Sequence, residues 1–314
     1  MIFYFTATGN SLFAARTISA ALGDPDLRSI PQAIHDEPPV YEDGAQDTDG
    51  KSPLYEDDAI GFVVPIFSHL MPPMVLNFIR KSQFKTNYFY VVLTYGNRTG
   101  GAADLAADFF ASQQIAVDYA NTLLMVDNWL PGFDIEEQLA RDKHIDENLA
   151  AICEDLKTRK TYIQHATEAD RAAHRQNLMF NFPFDRADVL ENLLEFTDEC
   201  VGCGICAKVC PAGCISIEDV APDAAAQPSG GPQSDGFQNN AGQTDFHARS
   251  GTRRAVRRID AGLGCTACLA CIHACPSHAI TTKAMPEKNP KVHFLNEHVS
   301  LRDIIRSNDQ EDYR

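Results

Sequence analysis

Four cysteines at spacings of two, two and three residues, followed by a proline, make up CVGCGICAKVCP, Cys200 to Pro211. The arrangement returns 65 residues later as CTACLACIHACP, Cys265 to Pro276. In register, Cys200, Cys203, Cys206 and Cys210 fall on Cys265, Cys268, Cys271 and Cys275, Pro211 falls on Pro276, and Ile215 falls on Ile280. The N-terminal MIFYFTATGN lacks a basic leader and turns polar early, so it reads as a first strand rather than a signal peptide. No apolar run approaches the roughly 18 residues that a membrane helix needs. The expected compartment is the cytoplasm, where thiols stay reduced, so ten cysteines argue for metal ligation over disulfides. Zinc also takes four thiolates, but usually from separated CxxC pairs rather than from a duplicated 2-2-3-Pro run. Cys214 and Cys153 lie outside the pattern. Cys214 falls on Ala279 and is expected to be a small packed residue, and Cys153 a buried thiol in a helix.

The rest of the 314-residue chain is long enough for two domains. Residues 1 to about 165 alternate between strand and helix. MIFYF, AIGFVVPIF, YFYVVLTYG and IAVDYANTLLMV read as buried strands, and SLFAARTISAAL, PPMVLNFIRK and GGAADLAADFFASQ as helices. Strand followed by helix, repeated, predicts a parallel sheet covered on both sides. Residues 134–175 are charged and helical, and 166–195 form a connector. Within a second domain over 196–285, the Ala, Pro, Gly, Gln and Ser-rich stretch predicts a flexible insertion at 218–258. Residues 286–314 read as a C-terminal tail. The net charge of −16 argues against nucleic acid. Two charge runs, the acidic stretch between His35 and Asp58 and RRAVRR from Arg253 to Arg258, read as solvated edges, or else as docking patches for a redox partner.

FTATGNS, Phe5 to Ser11, leaves a strand and opens a helix, so a phosphate there would meet backbone N–H groups and the positive end of the helix dipole. Thr6, Thr8, Asn10 and Ser11 add side-chain donors around Ala7, and Gly9 allows close approach. The loop has no lysine, and no G-x-G-x-x-G follows a strand, so neither a Walker A loop nor a dinucleotide fingerprint is present. A phosphate held by hydroxyls and amides alone fits the monophosphate of FMN. Two further loops end strands on the same sheet edge: Pro65, Ile66, Phe67 and Ser68 before His69, and Thr94, Tyr95, Gly96 and Asn97 on to Gly101. Phe67 or Tyr95 is placed to stack on an isoalloxazine, unless both aromatics simply anchor their loops. No acid–base or nucleophile constellation declares itself, and His69, alone, is more readily structural than catalytic.

The phosphate loop resembles that of flavodoxins, and the cysteine run resembles that of bacterial two-cluster ferredoxins, in which the fourth cysteine of each run serves the other cluster. Joined in this order with MVDNWLP, Met125 to Pro131, between them, the two parts resemble the flavodoxin–ferredoxin fusion family of electron-transfer proteins. The resemblance implies a flavodoxin-like doubly wound parallel sheet that binds FMN, followed by a small α+β ferredoxin-like domain with two [4Fe–4S] clusters. One cluster would take Cys200, Cys203, Cys206 and Cys275, and the other Cys265, Cys268, Cys271 and Cys210. The chain departs from the pattern in its acidic insertion and in the 54 residues between Cys210 and Cys265. Three functions remain open: an electron carrier serving a partner protein, an FMN-dependent reductase of a small molecule fed by the clusters, and an assembly platform without flavin.

Overall fold

Strands that are apolar on both faces need cover on both faces, and the first half of the chain supplies it. The computed structural model describes residues 1–36, 52–179, 193–219, 253–257, 264–283 and 285–310. Six strands, β1 (Ile2–Tyr4), β2 (Leu27–Ser29), β4 (Ala59–Pro65), β6 (Tyr88–Tyr95), β7 (Tyr119–Leu124) and β8 (Tyr162–Ile163), form one parallel sheet in the order β2-β1-β4-β6-β7-β8. Taken in chain order, the first five sheet strands lie 2-1-3-4-5, the flavodoxin-like arrangement, in which the topological switch falls between the first and third. A short parallel pair, β3 (Leu54–Glu56) with β5 (Gln83–Lys85), lies apart from this sheet.

Alternate strand residues feed the two layers. Ile2, Tyr4, Val63, Tyr90 and Leu123 pack with Leu12, Ala15 and Ile18 of α1 (Asn10–Ala21) and with Leu149, Ile152 and Leu156 of α6 (Ile145–Lys157). Phe3, Phe5, Phe62, Val64 and Leu93 pack on the other face with Met74, Val75 and Phe78 of α3 (Pro73–Arg80) and Ala103, Ala106 and Phe110 of α4 (Ala102–Ser112). Between α1 and α3 runs the short α2 (Ile30–Ala33), and α5 (Ile135–Ala140) precedes α6. Cys153 is buried in α6, which pushes its thiol pKa up. α7 (Glu168–Met179) follows β8.

In the second half, β9 (Leu194–Phe196) pairs antiparallel with β12 (Ile280–Thr282), and β10 (Ile215–Asp219) with β11 (Arg253–Arg257). Each cysteine run carries a four-residue helix, α8 (Ile205–Lys208) and α9 (Ala270–His273). The sequence expectations need three corrections. The basic run around Arg253 is a strand paired with β10, not a loose edge, so the 218–258 insertion is not wholly irregular; its middle, 220–252, lies outside the described residues. The described acids of the acidic stretch stay at the surface, as a solvated edge does, but each pairs there: Asp36 with Arg28, Glu56 with Lys85, Asp57 with the N-terminal amine and Asp58 with Arg159, while 37–51 lie outside the described residues.

The third correction concerns the tail. Residues 285–310 run back across the first domain and end in α10 (Leu301–Asn308), which a Ser300–Asp303 capping box opens. Arg16 pairs with Asp303 at 2.9 Å, and the Tyr4 and Ser307 hydroxyls meet at 2.9 Å. Asn308, completely buried, donates from its side-chain amide to the Thr6 carbonyl at 2.9 Å and to the Val209 carbonyl at 3.1 Å. The segment is a strap that fastens the cysteine domain to the sheet domain. Among the described residues, no helix is long and apolar enough to cross a membrane.

Candidate functional site

The duplicated cysteines gather around two recesses, and each recess draws on both runs. The first is lined by Cys200, Cys203, Cys206 and Cys275, with Pro276 and Ile280. The second is lined by Cys210, Cys265, Cys268 and Cys271, with Cys214 as a fifth. The electrostatics follow the same grouping. Burial, and then the charges of Cys203, Cys200 and Cys275, push the Cys206 thiol up to about 12. Burial, and then Cys210, push Cys268 up to about 12, and burial, then Cys268, Cys210 and Cys265, hold Cys271 well above the ordinary thiol range. Converging thiolates repel one another unless a strongly cationic centre deprotonates and holds them, and iron in a cubane is such a centre. Among the described residues, no group of three or more His, Cys, Asp or Glu stands close enough to hold a metal ion as the side chains lie.

Local backbone shape builds each recess. Gly202 and Gly204 hold φ of 65° and 79°, which turn the chain so that Cys200, Cys203 and Cys206 face inward. Their counterparts in the second run, Ala267 and Leu269, take the same left-handed conformation at 55° and 57°, although a Cβ makes it costly. Cys214, expected to be merely packed, places its sulfur 3.4 Å from that of Cys210. The hydrogen bond between these two buried sulfurs sets their thiols apart, Cys210 below and Cys214 above the ordinary range.

A cavity of about 520 Å³ opens at the carboxyl ends of β1, β4, β6 and β7. Thr6, Ala7, Thr8, Asn10, Ser11, Pro65, Ile66, Phe67, Ser68, Thr94, Tyr95, Gly96 and Asn97 all line it. Two expected residues do not. Gly9, at φ 102°, turns toward the strap, where a Cβ would lie 2.9 Å from Asn296 Cβ and 3.1 Å from Val299 Cβ. Gly101, at φ 79°, backs onto Ala166, 2.7 Å from where its own Cβ would stand. Both glycines serve the turn and its packing rather than a ligand.

The loop hydroxyls are set by neighbours. The Thr8 hydroxyl accepts from the Asn128 amide at 2.7 Å, and those of Ser11 and Thr94 meet at 2.8 Å. Asn10 donates to the Val126 carbonyl at 3.0 Å and accepts from Asn296 at 3.1 Å, so it fastens the loop instead of offering a free donor. Ser68 and His69 hold φ of 52° and 76°, a strained pair at the cavity edge. The buried His69 packs where a Gly100 side chain would otherwise be, and its Nδ1 meets the Asn177 amide at 3.3 Å. Burial, then His174 and Arg98, lower its pKa and keep the ring neutral.

Sequence reasoning missed several lining residues: Val126, Asp127, Asn128, Trp129 and Phe133 after β7, Gln176 and Asn177 on α7, and Ala267, Cys268 and Leu269 of the second cysteine run. The β7 loop was legible in principle, because it too leaves the carboxyl edge of the sheet. The α7 residues carried no periodic or chemical signal. Asp127 lies half-buried behind Gly96, whose Cβ would fall 2.3 Å from the aspartate backbone, and desolvation pushes its carboxyl up to about 6. His273, between Cys271 and Cys275, meets the Asn128 carbonyl at 2.8 Å and accepts from the Phe294 N–H at 3.0 Å, which joins cluster loop, cavity loop and strap. Cys268 lines both the second recess and the cavity.

These features define a protein with a flavodoxin-order sheet and a cysteine domain of the 4Fe–4S type. Residues 199–279 match the family of 4Fe-4S dicluster domains. The C-terminal part of the chain is thus a 4Fe–4S domain, and electron transfer is the chemistry such a domain carries. No curated protein matches the chain. A solved structure from Bacteroides uniformis, described as a "putative flavoprotein", shares 19% identity with a TM-score of 0.28, over 44% of this chain and 93% of that one.

Proposed function

We propose that the chain is an internal electron relay that holds two [4Fe–4S] clusters and FMN and exchanges electrons with a redox partner protein. Cys200, Cys203, Cys206 and Cys275 hold one cluster, and Cys265, Cys268, Cys271 and Cys210 the other. Thr6, Ala7, Thr8 and Ser11 hold the flavin phosphate, with Gly9 and Asn10 shaping their loop, and the Pro65–Ser68 and Thr94–Asn97 loops flank the ring. Clusters exchange single electrons and a flavin exchanges one or two, so a chain with both joins one-electron carriers to two-electron chemistry.

The observation that carries this reading is that Cys268 borders both the second recess and the cavity. The short run Ala267, Cys268 and Leu269 therefore borders both compartments, with Ala267 and Leu269 each 3% exposed. In the first recess Cys203 is exposed, which makes that side the entry for a partner. The test is anaerobic reconstitution of the full chain with iron, sulfide and FMN, then quantitation of each. About eight irons and about one flavin per chain are expected, and four irons or fewer in fully loaded protein refute the reading.

A second reading, an FMN-dependent reductase fed by the clusters, has its own support: α7 brings Gln176 and Asn177 to the cavity rim beside His69 and Arg98. Those polar groups suit a small molecule better than a protein face. Turnover of a small acceptor by the chemically reduced, partner-free protein would select this reading over the carrier.

A further inference from the structure

The second recess has one cysteine more than a cubane requires. Cys214 lines it together with Cys210, Cys265, Cys268 and Cys271, is 8% exposed, and lies sulfur to sulfur at 3.4 Å from Cys210. The first recess has no such surplus: Cys200, Cys203, Cys206 and Cys275 are the cysteines that line it among the described residues, and Ala279 stands at the position equivalent to Cys214. The two runs are otherwise in register, so the difference is a built-in comparison within one molecule.

We infer that Cys214 is a reserve ligand, able to take over from Cys210 the iron that Cys210 holds in the second recess. The inference rests on the two-cluster reading above. Cys210 is the ligand of that recess contributed by the other run, and its sulfur lies 3.4 Å from that of Cys214, which also reaches Cys265. Gly213, at φ 59°, precedes Cys214 and gives the backbone freedom to shift the new sulfur toward the vacated position. The exchange is a ligand substitution with no change of oxidation state. The Cys214 S–H bond breaks, its proton goes to solvent, and the resulting thiolate bonds the iron from which the Cys210 sulfur is absent. Among the described residues of the first recess no second cysteine stands beside Cys275, whose nearest spare group is the Ser277 hydroxyl at 3.7 Å.

The test compares full-length Cys210→Ala, Cys210→Ala/Cys214→Ala, Cys214→Ala and Cys275→Ala with the parent chain, each reconstituted anaerobically. Iron and acid-labile sulfide are counted, and low-temperature EPR is recorded before and after reduction. The parent, Cys214→Ala and Cys210→Ala should each hold about eight irons with no three-iron signal when oxidised. The double variant and Cys275→Ala should each lose at least one iron per chain and give that signal, or lose a whole cluster. Cys210→Ala losing as much iron as the double variant would overturn the inference while leaving the parent's two clusters intact. A parent chain that never exceeds about four irons would instead remove the two-cluster reading, and the inference with it. Circular dichroism of the metal-free variants identifies any that fail to fold, and for those Cys210→Val, alone and with Cys214→Ala, replaces Cys210→Ala, with the same two outcomes deciding.

Discussion

Replacing Asn308 tests whether the strap joins the two domains. Its amide donates to Thr6 and Val209, one carbonyl in the loop after β1 and one beside Cys210, from a side chain with no exposure. Its own Oδ1 is buried without a hydrogen-bond partner. Asn308→Ala therefore removes two hydrogen bonds and leaves two carbonyls short of a donor, at about 1–1.5 kcal/mol each, while it relieves one unsatisfied acceptor worth about 1 kcal/mol. The net loss is about 2 kcal/mol. With 314 residues at about 2 cal/mol/K each, the unfolding entropy is near 0.65 kcal/mol/K, so Tm should drop by about 3 °C. Asn308→Asp should fall further than the alanine, because a buried carboxylate would face two carbonyls with nothing to donate. Thermal unfolding followed by circular dichroism measures both, and hydrogen exchange over Leu301–Asn308 reports the strap directly. An aspartate variant as stable as the parent, with exchange unchanged, would refute the two-acceptor arrangement.

Asp127→Asn keeps the oxygen that accepts from the Trp129 N–H and removes a carboxyl that burial raises from 3.8 to about 6. An acid whose folded pKa is raised loses stability as pH climbs through that window, so the variant should gain about 2 kcal/mol on the parent between pH 4.5 and 7 in urea unfolding; a flat difference would mean Asp127 ionises normally in the fold. Gly9→Ala drives a Cβ into Asn296 and Val299 at a φ of 102° and should cost at least about 2 kcal/mol, read as a lowered Tm, with a smaller loss if the strap can yield. Leu269→Gly relieves about 1–2 kcal/mol of left-handed strain but deletes a buried leucine worth more than about 3, so a net loss near 2 kcal/mol is expected in the same assay, and a stabilised variant would contradict the packing described.

The sheet was legible where burial on both faces leaves an unbroken apolar run, as in Ile60–Val64 and Phe89–Leu93. It was not legible in Tyr162–Ile163, where two residues gain their pairing from β7 rather than from any period of their own. Arg253–Arg257 reads as a solvated charge run because its partner, β10, lies across a long insertion, and the strap reads as a tail because polar contacts such as that of Asn308 to Thr6 leave no pattern in sequence. Thr6 to Ser11 and the two loops behind Pro65 and Thr94 could be located, since parallel strands present their carboxyl ends to a ligand. The adjacency of the cavity and the second recess was out of reach from spacing alone, but an asymmetry between the two runs carried it. Where the first run has Gly202 and Gly204, the second has Ala267 and Leu269, and all four positions keep a left-handed turn. A fold accepts that strain in only one of two equivalent loops when the side chains are needed there. Here they flank Cys268 where it borders both the cavity and the second recess, while the first recess faces solvent at Cys203 and keeps its glycines.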